Sequence, residues 1–277
     1  EKISRRSFMA AAAVSVAALA LTACGGSASS AASSVASSAA SSEAASSAAA
    51  AELTTVEAGK LTMATNAAFP PYEMTTDAGE FEGIDVDTAK AIAEKLGLEL
   101  QIDDMDFDAA LLSVQQGKAD IVMAGVTVTD ERKAVMDFSD SYATGIQSII
   151  VPNDSDIASP DDLAGKTIGT QRGTTGYIYC SDDFGDENVV AYDDGLTAVQ
   201  ALNNGQVDAV VIDNAPAQEF VAANPGLKVL DTSYAEEDYA IGMAKGSALE
   251  DAVNKALEEL KADGTLQAIV DKYINAN

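Results

Sequence analysis

The sequence from residue 52 to residue 277 predicts an α/β fold in two similar lobes. Apolar runs of strand length alternate with amphipathic stretches of helix length, which is typical of α/β proteins. The 226 residues exceed the common size of one domain. The segment QQGKADIV at 115–122 recurs as NNGQVDAV at 203–210. One helix–glycine–strand unit per lobe explains the repeat, although two unrelated turns could share a Gly-x-x-Asp pattern by chance.

The elements of the first lobe follow from the spacing of apolar residues. Lys60 to Thr65 is a predicted strand, and the helix after it buries a stripe formed by Val86, Ala89, Ala93 and Leu96. We expect Asp85 or Asp87 to cap this helix and Gly97 to end it. A strand from Leu98 to Ile102 leads to a second helix, whose buried stripe is Phe107, Ala110, Leu111 and Val114.

Residues 1–23 predict an export signal. Three cationic residues precede an apolar run from Phe8 to Ala20 that is short for a membrane span. The next residues, Leu21-Thr22-Ala23-Cys24-Gly25, resemble the lipobox of bacterial lipoproteins, which implies that Cys24 is acylated and becomes the N-terminus. The adjacent arginines resemble a twin-arginine signal, and an ordinary secretory signal stays open. Residues 24–51 are nearly all Ser and Ala and predict a flexible tether to the outer face of the cell membrane.

The composition excludes several classes of function. The chain has 16 basic and 44 acidic residues and a formal net charge of -28, which argues against nucleic acid as a partner. It contains no histidine, so Ser-His and Cys-His nucleophile pairs are excluded. Its two cysteines are too few for a disulfide framework or a thiolate zinc site, and we read Cys180 as an inert helix residue. The acidic run at 103–108 lacks the spacing of a calcium loop.

Two charged residues lie where the repeated strands end. Arg132 follows the first strand, and its planar guanidinium suits a carboxylate, although a surface salt bridge is an equal alternative. Asp213 follows the second strand at the position that matches Gly125 in the first; its alternative role is to cap the helix after it. Ligands of open α/β sheets bind beyond the carboxyl ends of strands. Arg132 and Asp213 could therefore hold the two charges of a free amino acid, helped by Thr127 and the N–H groups of 173–175.

Seven ordered segments resemble the polar-amino-acid family of extracellular solute-binding proteins of ABC importers. They are 65–73, 83–87, 105–107, 124–132, 137–139, 173–175 and 208–213, and the similarity spans nearly all of 52–277. The resemblance implies a two-lobed periplasmic-binding-protein-like fold of type II, with the ligand between the lobes. It implies a first lobe at 52–144 and 239–277, a second at 145–238, a free L-amino acid as ligand, an ABC permease as partner, a monomer, no cofactor and no metal.

The resemblance also implies a role for each site residue. Arg132 matches the family's α-carboxylate clamp and Asp213 its α-ammonium anchor. The supporting groups are the Gly125 carbonyl for the ammonium, the donors Thr127 and Thr175, and the aromatic walls Phe69 and Phe107. Thr174 is a further expected ligand-binding residue, through its backbone N–H group. Asn66 stands where relatives that bind cationic amino acids, and some others, carry aspartate, and Gln171 stands where some neutral-ligand relatives carry lysine.

The side chain of the ligand is expected to be uncharged, polar or modestly apolar. Asn66 donates and accepts hydrogen bonds but cannot neutralise a cation, and a buried unpaired cation is costly. Another acid such as Glu73 could supply that charge if it faces the pocket. A cleft enzyme similar to cyclohexadienyl or arogenate dehydratases, with Glu73 as its acid, is the alternative function, and a sensor input domain is a third.

Overall fold

The computed structural model describes residues 53–274. The predicted signal, the predicted tether and Cys24 lie outside the described residues, as do Glu52 and residues 275–277. No helix within 53–274 combines the length and the apolar character needed to cross a membrane.

The first large sheet has five strands and lies in the first lobe. Its strands are β1 (Lys60–Thr65), β5 (Glu99–Asp104), β6 (Ile121–Val122), β7 (Met136–Phe138) and β14 (Gly242–Ala244). Their order is β5-β1-β6-β14-β7, with β1 parallel to β5 and β6, and β14 antiparallel to β6 and β7. A small antiparallel sheet beside it contains β2 (Ala68–Phe69), β3 (Glu73–Thr75) and β4 (Phe81–Glu82).

The second large sheet has six strands and lies in the other lobe. They are β8 (Ala143–Pro152), β9 (Ile168–Gln171), β10 (Val189–Tyr192), β11 (Ala209–Asp213), β12 (Leu227–Val229) and β13 (Ala235–Tyr239). The order is β10-β9-β11-β8-β12, and β13 pairs with β8. The chain passes between the two large sheets at 138–143 and again at 239–242. The lobe boundaries at 144/145 and 238/239 remain predictions.

Amphipathic helices cover the faces of both sheets. They are α1 (Ile84–Leu96), α2 (Phe107–Gln115), α3 (Asp130–Val135), α4 (Thr175–Phe184), α5 (Gly195–Asn203), α6 (Asn214–Ala223), α7 (Glu250–Ala262) and α8 (Thr265–Ile274). The predicted stripe of α2 is buried, and so is most of the stripe of α1. Helix α7 buries Val253, Ala256, Leu257 and Leu260 and packs against α1. The predicted two-lobed α/β fold is confirmed.

The predicted cap of α1 is wrong. Gly83 occupies the N-cap position, and no side chain accepts a hydrogen bond there. Asp85 lies in the first turn, is buried, and accepts a hydrogen bond from the Gly125 amide at 3.0 Å. Asp87 bonds Lys272 Nζ at 2.7 Å instead. The predicted end of the helix is correct, because Gly97 adopts the left-handed conformation that closes it.

The repeated segments have the same local structure. Gly117 and Gly205 follow α2 and α5 with φ of 66° and 67°, which glycine adopts without strain. The Thr62 amide donates to the Asp120 carboxylate at 2.8 Å, and the Thr167 amide donates to that of Asp208 at 2.8 Å. Each aspartate therefore stabilises the turn before its strand, and the two aspartates hold equivalent positions in the two lobes.

The two aspartates should differ in what they contribute to stability. Asp120 is buried and also accepts from the Val56 amide at 2.7 Å, whereas Asp208 is exposed. Asp120→Ala leaves two amides without their acceptor, so we expect the free energy of unfolding to fall by about 2–3 kcal/mol. Asp208→Ala should cost clearly less, because water replaces the carboxylate. Urea unfolding of both variants measures the difference, and equal losses would contradict it.

Candidate functional site

A cavity lies between the two lobes, at the carboxyl ends of four strands. Strands β1 and β6 lead into it from the first sheet, and β9 and β11 from the second. Its volume is about 20 Å³, room for about one water molecule, so in this conformation it is much smaller than a typical small-molecule pocket. Its lining includes all ten residues expected to bind ligand, together with Glu73 and Ala124: Asn66, Phe69, Phe107, Gly125, Thr127, Arg132, Gln171, Thr174, Thr175 and Asp213.

Arg132 is held in the cavity wall by backbone carbonyls. It lies on α3, whose N-cap Thr129 accepts from the Arg132 amide at 3.2 Å. Its Nη1 donates to the Thr127 carbonyl at 2.7 Å and its Nη2 to the Gly173 carbonyl at 3.1 Å. The guanidinium lies 5.4 Å from the centre of the Phe107 ring, a distance typical of cation–π contacts.

The alternative of a surface salt bridge does not fit this geometry. Arg132 is 9% exposed, and among the described residues its guanidinium is bonded by carbonyls rather than by a carboxylate. Burial lowers the pKa of Arg132, but a guanidinium remains charged in a protein. Because the Arg132 guanidinium is held in place and keeps its charge, its remaining N–H groups are suited to bind an anionic group of a ligand.

Asp213 is buried at the end of β11 and does not use its side chain as a helix cap. It precedes α6 at the N-cap position, but no side-chain cap bond forms. Tyr239 donates its hydroxyl to Oδ1, and Gln147 Nε2 donates to Oδ2 at 2.8 Å. Burial, followed by the charge of Glu237, raises the pKa of Asp213 to about 7. A cationic group of a guest would favour the ionised form.

Thr127 and Thr175 face each other across the cavity and share a partner that the sequence did not identify. Each hydroxyl donates to Oε2 of Glu237, at 3.1 Å in both cases, and Gln147 Nε2 donates to the same oxygen at 3.0 Å. A threonine hydroxyl has one proton, so in this arrangement both present lone pairs to the cavity. To act as donors to a carboxylate, as expected, they must turn away from Glu237.

Asn66 and Gln171 bond each other. Gln171 Nε2 donates to Asn66 Oδ1 at 2.9 Å, and Asn66 Nδ2 donates to the Met105 carbonyl at 2.9 Å. The pair connects the end of β1 in one lobe to the end of β9 in the other. Much of the hydrogen-bonding capacity of Asn66 is therefore used within the protein. The asparagine at this position is thus weaker evidence that the side chain of the ligand is uncharged.

Gly125 allows the chain to pass close to an aromatic wall. Its φ is 55°, and a Cβ at this position would lie 2.9 Å from the Phe69 ring. Its amide is bonded to Asp85, which leaves the carbonyl as the group that could bind a ligand.

Thr174 caps α4 by accepting from the Tyr177 amide at 3.3 Å, so the first amides of α4 point toward the cavity end of the helix.

Glu73 is a carboxyl group of the cavity wall, which the sequence left undecided. It lies at the start of β3 and is completely buried. Neither of its oxygens has a donor among residues 53–274 when it is ionised. Burial and the neighbouring Asp85 carboxyl raise its pKa well above the ordinary value. Burial raises the pKa of Asp85 to about 6.

Comparison with known proteins identifies the family. The model for bacterial extracellular solute-binding proteins, family 3, matches residues 61–276. The chain belongs to this family. The earlier resemblance to amino-acid-binding proteins of this kind is confirmed. The L-cystine-binding protein TcyJ of Escherichia coli (strain K12) is 33% identical over 225 residues, which is 80% of this chain and 85% of TcyJ.

Two further relatives support this family assignment. The ABC transporter arginine-binding protein 1 of Escherichia coli (strain K12) is 32% identical over 222 residues, covering 78% of this chain and 91% of that protein. A solved structure of an ancestral arginine-binding protein bound to glutamine is 42% identical, with a TM-score of 0.75, and covers 78% of this chain and 98% of that chain. This chain is therefore an extracellular solute-binding protein of family 3, and the relatives named here are amino-acid-binding proteins rather than enzymes.

The raised pKa of Asp213 predicts how binding of a neutral amino acid depends on pH. Below about pH 7 the unliganded carboxyl is protonated, and it must lose that proton to bind an ammonium group. We therefore expect the affinity to fall about tenfold per unit as the pH falls from 7 to 5, and to change little above 7. Calorimetric titration across this range measures it. Asp213→Asn should bind weakly with no such slope; an unchanged slope in this variant would contradict the assignment.

Proposed function

We propose that this protein is a lipid-anchored receptor that captures one free L-amino acid between its lobes and delivers it to a membrane permease. The observation that carries the proposal is the pair of opposite charges on the wall of one cavity, Arg132 from the first lobe and Asp213 from the second. Both side chains are at least nine-tenths buried. A free amino acid is a zwitterion, so its carboxylate suits Arg132 and its ammonium suits Asp213.

Closure of the two lobes accompanies capture in this proposal. The Arg132 bond to the Gly173 carbonyl and the Asn66–Gln171 bond both join groups of different lobes. Neither bond survives if the cleft opens. The two chain crossings at 138–143 and 239–242 are short connections about which the lobes can rotate, as in other hinged binding proteins.

We propose an uncharged, polar side chain for the principal ligand. Phe69 and Phe107 supply apolar walls, and a protonated Glu73 both donates and accepts hydrogen bonds. Among the relatives, TcyJ is a cystine-binding protein, and the ancestral arginine-binding protein is bound to glutamine. Uptake requires release as well as capture, so we expect a dissociation constant near micromolar, about −8 kcal/mol.

Attachment to the membrane is proposed through Cys24. The support is the lipobox-like sequence at 21–25 and the Ser/Ala-rich segment after it, which would hold the protein on the order of 25–30 Å from the surface. The receptor is proposed to act as a monomer, because a single chain supplies both charged residues of the binding cavity.

Removal of the Arg132 guanidinium should abolish most binding. Arg132→Ala should weaken amino-acid affinity by at least about 30-fold, or about 2 kcal/mol, because the buried carboxylate of the guest loses its cation. Arg172→Ala is the matched control, since the Arg172 side chain is 56% exposed and lies outside the cavity wall. Calorimetry with a panel of amino acids measures both variants. Near-native affinity of Arg132→Ala would show that the clamp is wrongly assigned.

Replacement of Cys24 should release the protein from the membrane. When the full chain is expressed in a bacterium, the Cys24→Ser variant should move from the membrane fraction to the soluble fraction and lose incorporation of an alkyne-labelled fatty acid. Cys180→Ser is the control, because Cys180 is buried in α4 and burial raises its pKa to about 12. Equal labelling of wild type and Cys24→Ser would contradict the anchor.

A further inference from the structure

Glu237 is a buried carboxylate that contacts two threonines of the cavity wall. Its side chain is on β13, and the residue is 6% exposed. Oε2 accepts hydrogen bonds from the hydroxyls of Thr127 and Thr175 and from Gln147 Nε2. Oε1 is buried and has no donor among residues 53–274. The three bonds to Oε2 are therefore what compensates this carboxylate for its removal from water.

The backbone holds Glu237 beside Thr127. Thr127 pairs with Tyr239 as an isolated antiparallel bridge, and the Val128 amide donates to the Asp238 carbonyl at 3.0 Å. These bonds join main-chain groups and do not involve the side chains that line the cavity. Glu237 therefore stays next to the Thr127 hydroxyl when a guest enters, and only the hydroxyl proton has to change direction.

Glu237 uses the same groups that the α-carboxylate of a guest would use. A threonine hydroxyl carries one proton, so a hydroxyl that donates to Glu237 presents only lone pairs to a guest. A carboxylate also presents only lone pairs, and no hydrogen bond forms between the two. Among the charged groups near Arg132, Glu237 is the one that acts on it most strongly. Both threonines and Arg132 line the cavity, so the two carboxylates are rivals for one set of partners.

We propose that Glu237 is an internal competitor of the guest's α-carboxylate and lowers the affinity of the protein for amino acids. This inference rests on the proposed function. When an amino acid binds, the hydroxyls of Thr127 and Thr175 turn from Glu237 to the guest, and Gln147 remains as the donor to Glu237. When the amino acid leaves, the hydroxyls return. Glu237 is thus a positioning residue, because it acts on the guest through the threonines and favours release.

The variant Glu237→Gln keeps the shape of the side chain and removes the competing charge. An amide oxygen is a weaker acceptor than a carboxylate, and an amide nitrogen facing the threonines would donate to their oxygens. In either orientation the hydroxyl protons become more available to a guest. We therefore expect Glu237→Gln to bind amino acids at least about fivefold more tightly, chiefly through slower dissociation. A purely structural role of Glu237 predicts a loss of affinity instead.

The measurement is made at pH 8 on the full-length protein. The charge of Glu237 contributes to the raised pKa of Asp213, which is about 7, so Asp213 is ionised at pH 8 with or without that charge. L-glutamine and the other common L-amino acids are titrated by calorimetry, and dissociation is followed by stopped flow. Glu236→Gln is the matched control, because Glu236 is exposed on the same strand and undergoes the same change of charge. Its affinity should stay within about twofold of wild type.

Removal of the two hydroxyls tests the route of the effect. The double variant Thr127→Val, Thr175→Val has no hydroxyl protons for the two carboxylates to share. In this background the further change Glu237→Gln should lose most of its gain in affinity. A gain of the same size in the presence and absence of the hydroxyls would overturn the inference, since Glu237 would then act by its charge alone.

The sign of the main effect also decides the question. Equal or lower affinity of Glu237→Gln, with the melting temperature of wild type, would overturn the inference. If this variant does not fold or melts lower, Glu237→Asp takes its place, because it withdraws the carboxylate by one methylene and frees the hydroxyls. Its affinity should rise, and a loss would overturn the inference. Failure of the wild-type protein to bind any amino acid would refute the proposed function instead.

Discussion

The site depends on two buried charges of opposite sign that do not neutralise each other. Arg132 is bonded by two backbone carbonyls, and Asp213 by a phenol and an amide, rather than by one another. Charges removed from water in this way are costly unless a partner compensates them. A zwitterion between them would satisfy both at once, so a bound amino acid would contribute to the stability of the closed form as well as fill the cavity.

A second group of side chains keeps Asp213 in place. Gln147 donates to both Asp213 and Glu237 through its Nε2 atom, and Tyr239 donates to Asp213 from the other side. Tyr239 fits there because Gly145 has no side chain: a Cβ on Gly145 would lie 2.5 Å from the Tyr239 ring. The carboxylate is therefore oriented by neighbours that do not themselves line the cavity.

The sequence was sufficient for features that depend on local patterns and on resemblance. Strand β1 has its predicted bounds, and the stripe of α2 is buried as expected, because the periodicity of apolar residues reflects which face packs. The family resemblance identified ten ligand-binding residues by their positions, and all ten line one cavity. Their individual roles in binding remain predictions.

Other features could not be predicted because they depend on contacts distant in sequence. Glu237 lies in the acidic stretch AEEDY, in which nothing local distinguishes a buried carboxylate from its solvated neighbours. Asp85 was expected to cap α1, yet it bonds Gly125 across the interior, a contact between residues 40 positions apart. Glu73 was recognised as an available acid, but only the tertiary structure establishes that it faces the cavity.

Gln147, Glu237 and Tyr239 lie on the strands next to the chain crossings between the lobes, which connects the proposed binding site to the proposed closure. Gln147 lies on β8, and Glu237 and Tyr239 lie on β13, the two strands adjacent to the chain crossings between the lobes. Thr127 comes from the first lobe and Thr175 from the second, and both donate to Glu237. The bonds that join groups of different lobes and break when the cleft opens are those of Arg132 to the Gly173 carbonyl and of Gln171 to Asn66. Because Arg132 both carries a binding charge and takes part in one of these bonds, the proposed binding of an amino acid and the proposed closure of the lobes are coupled.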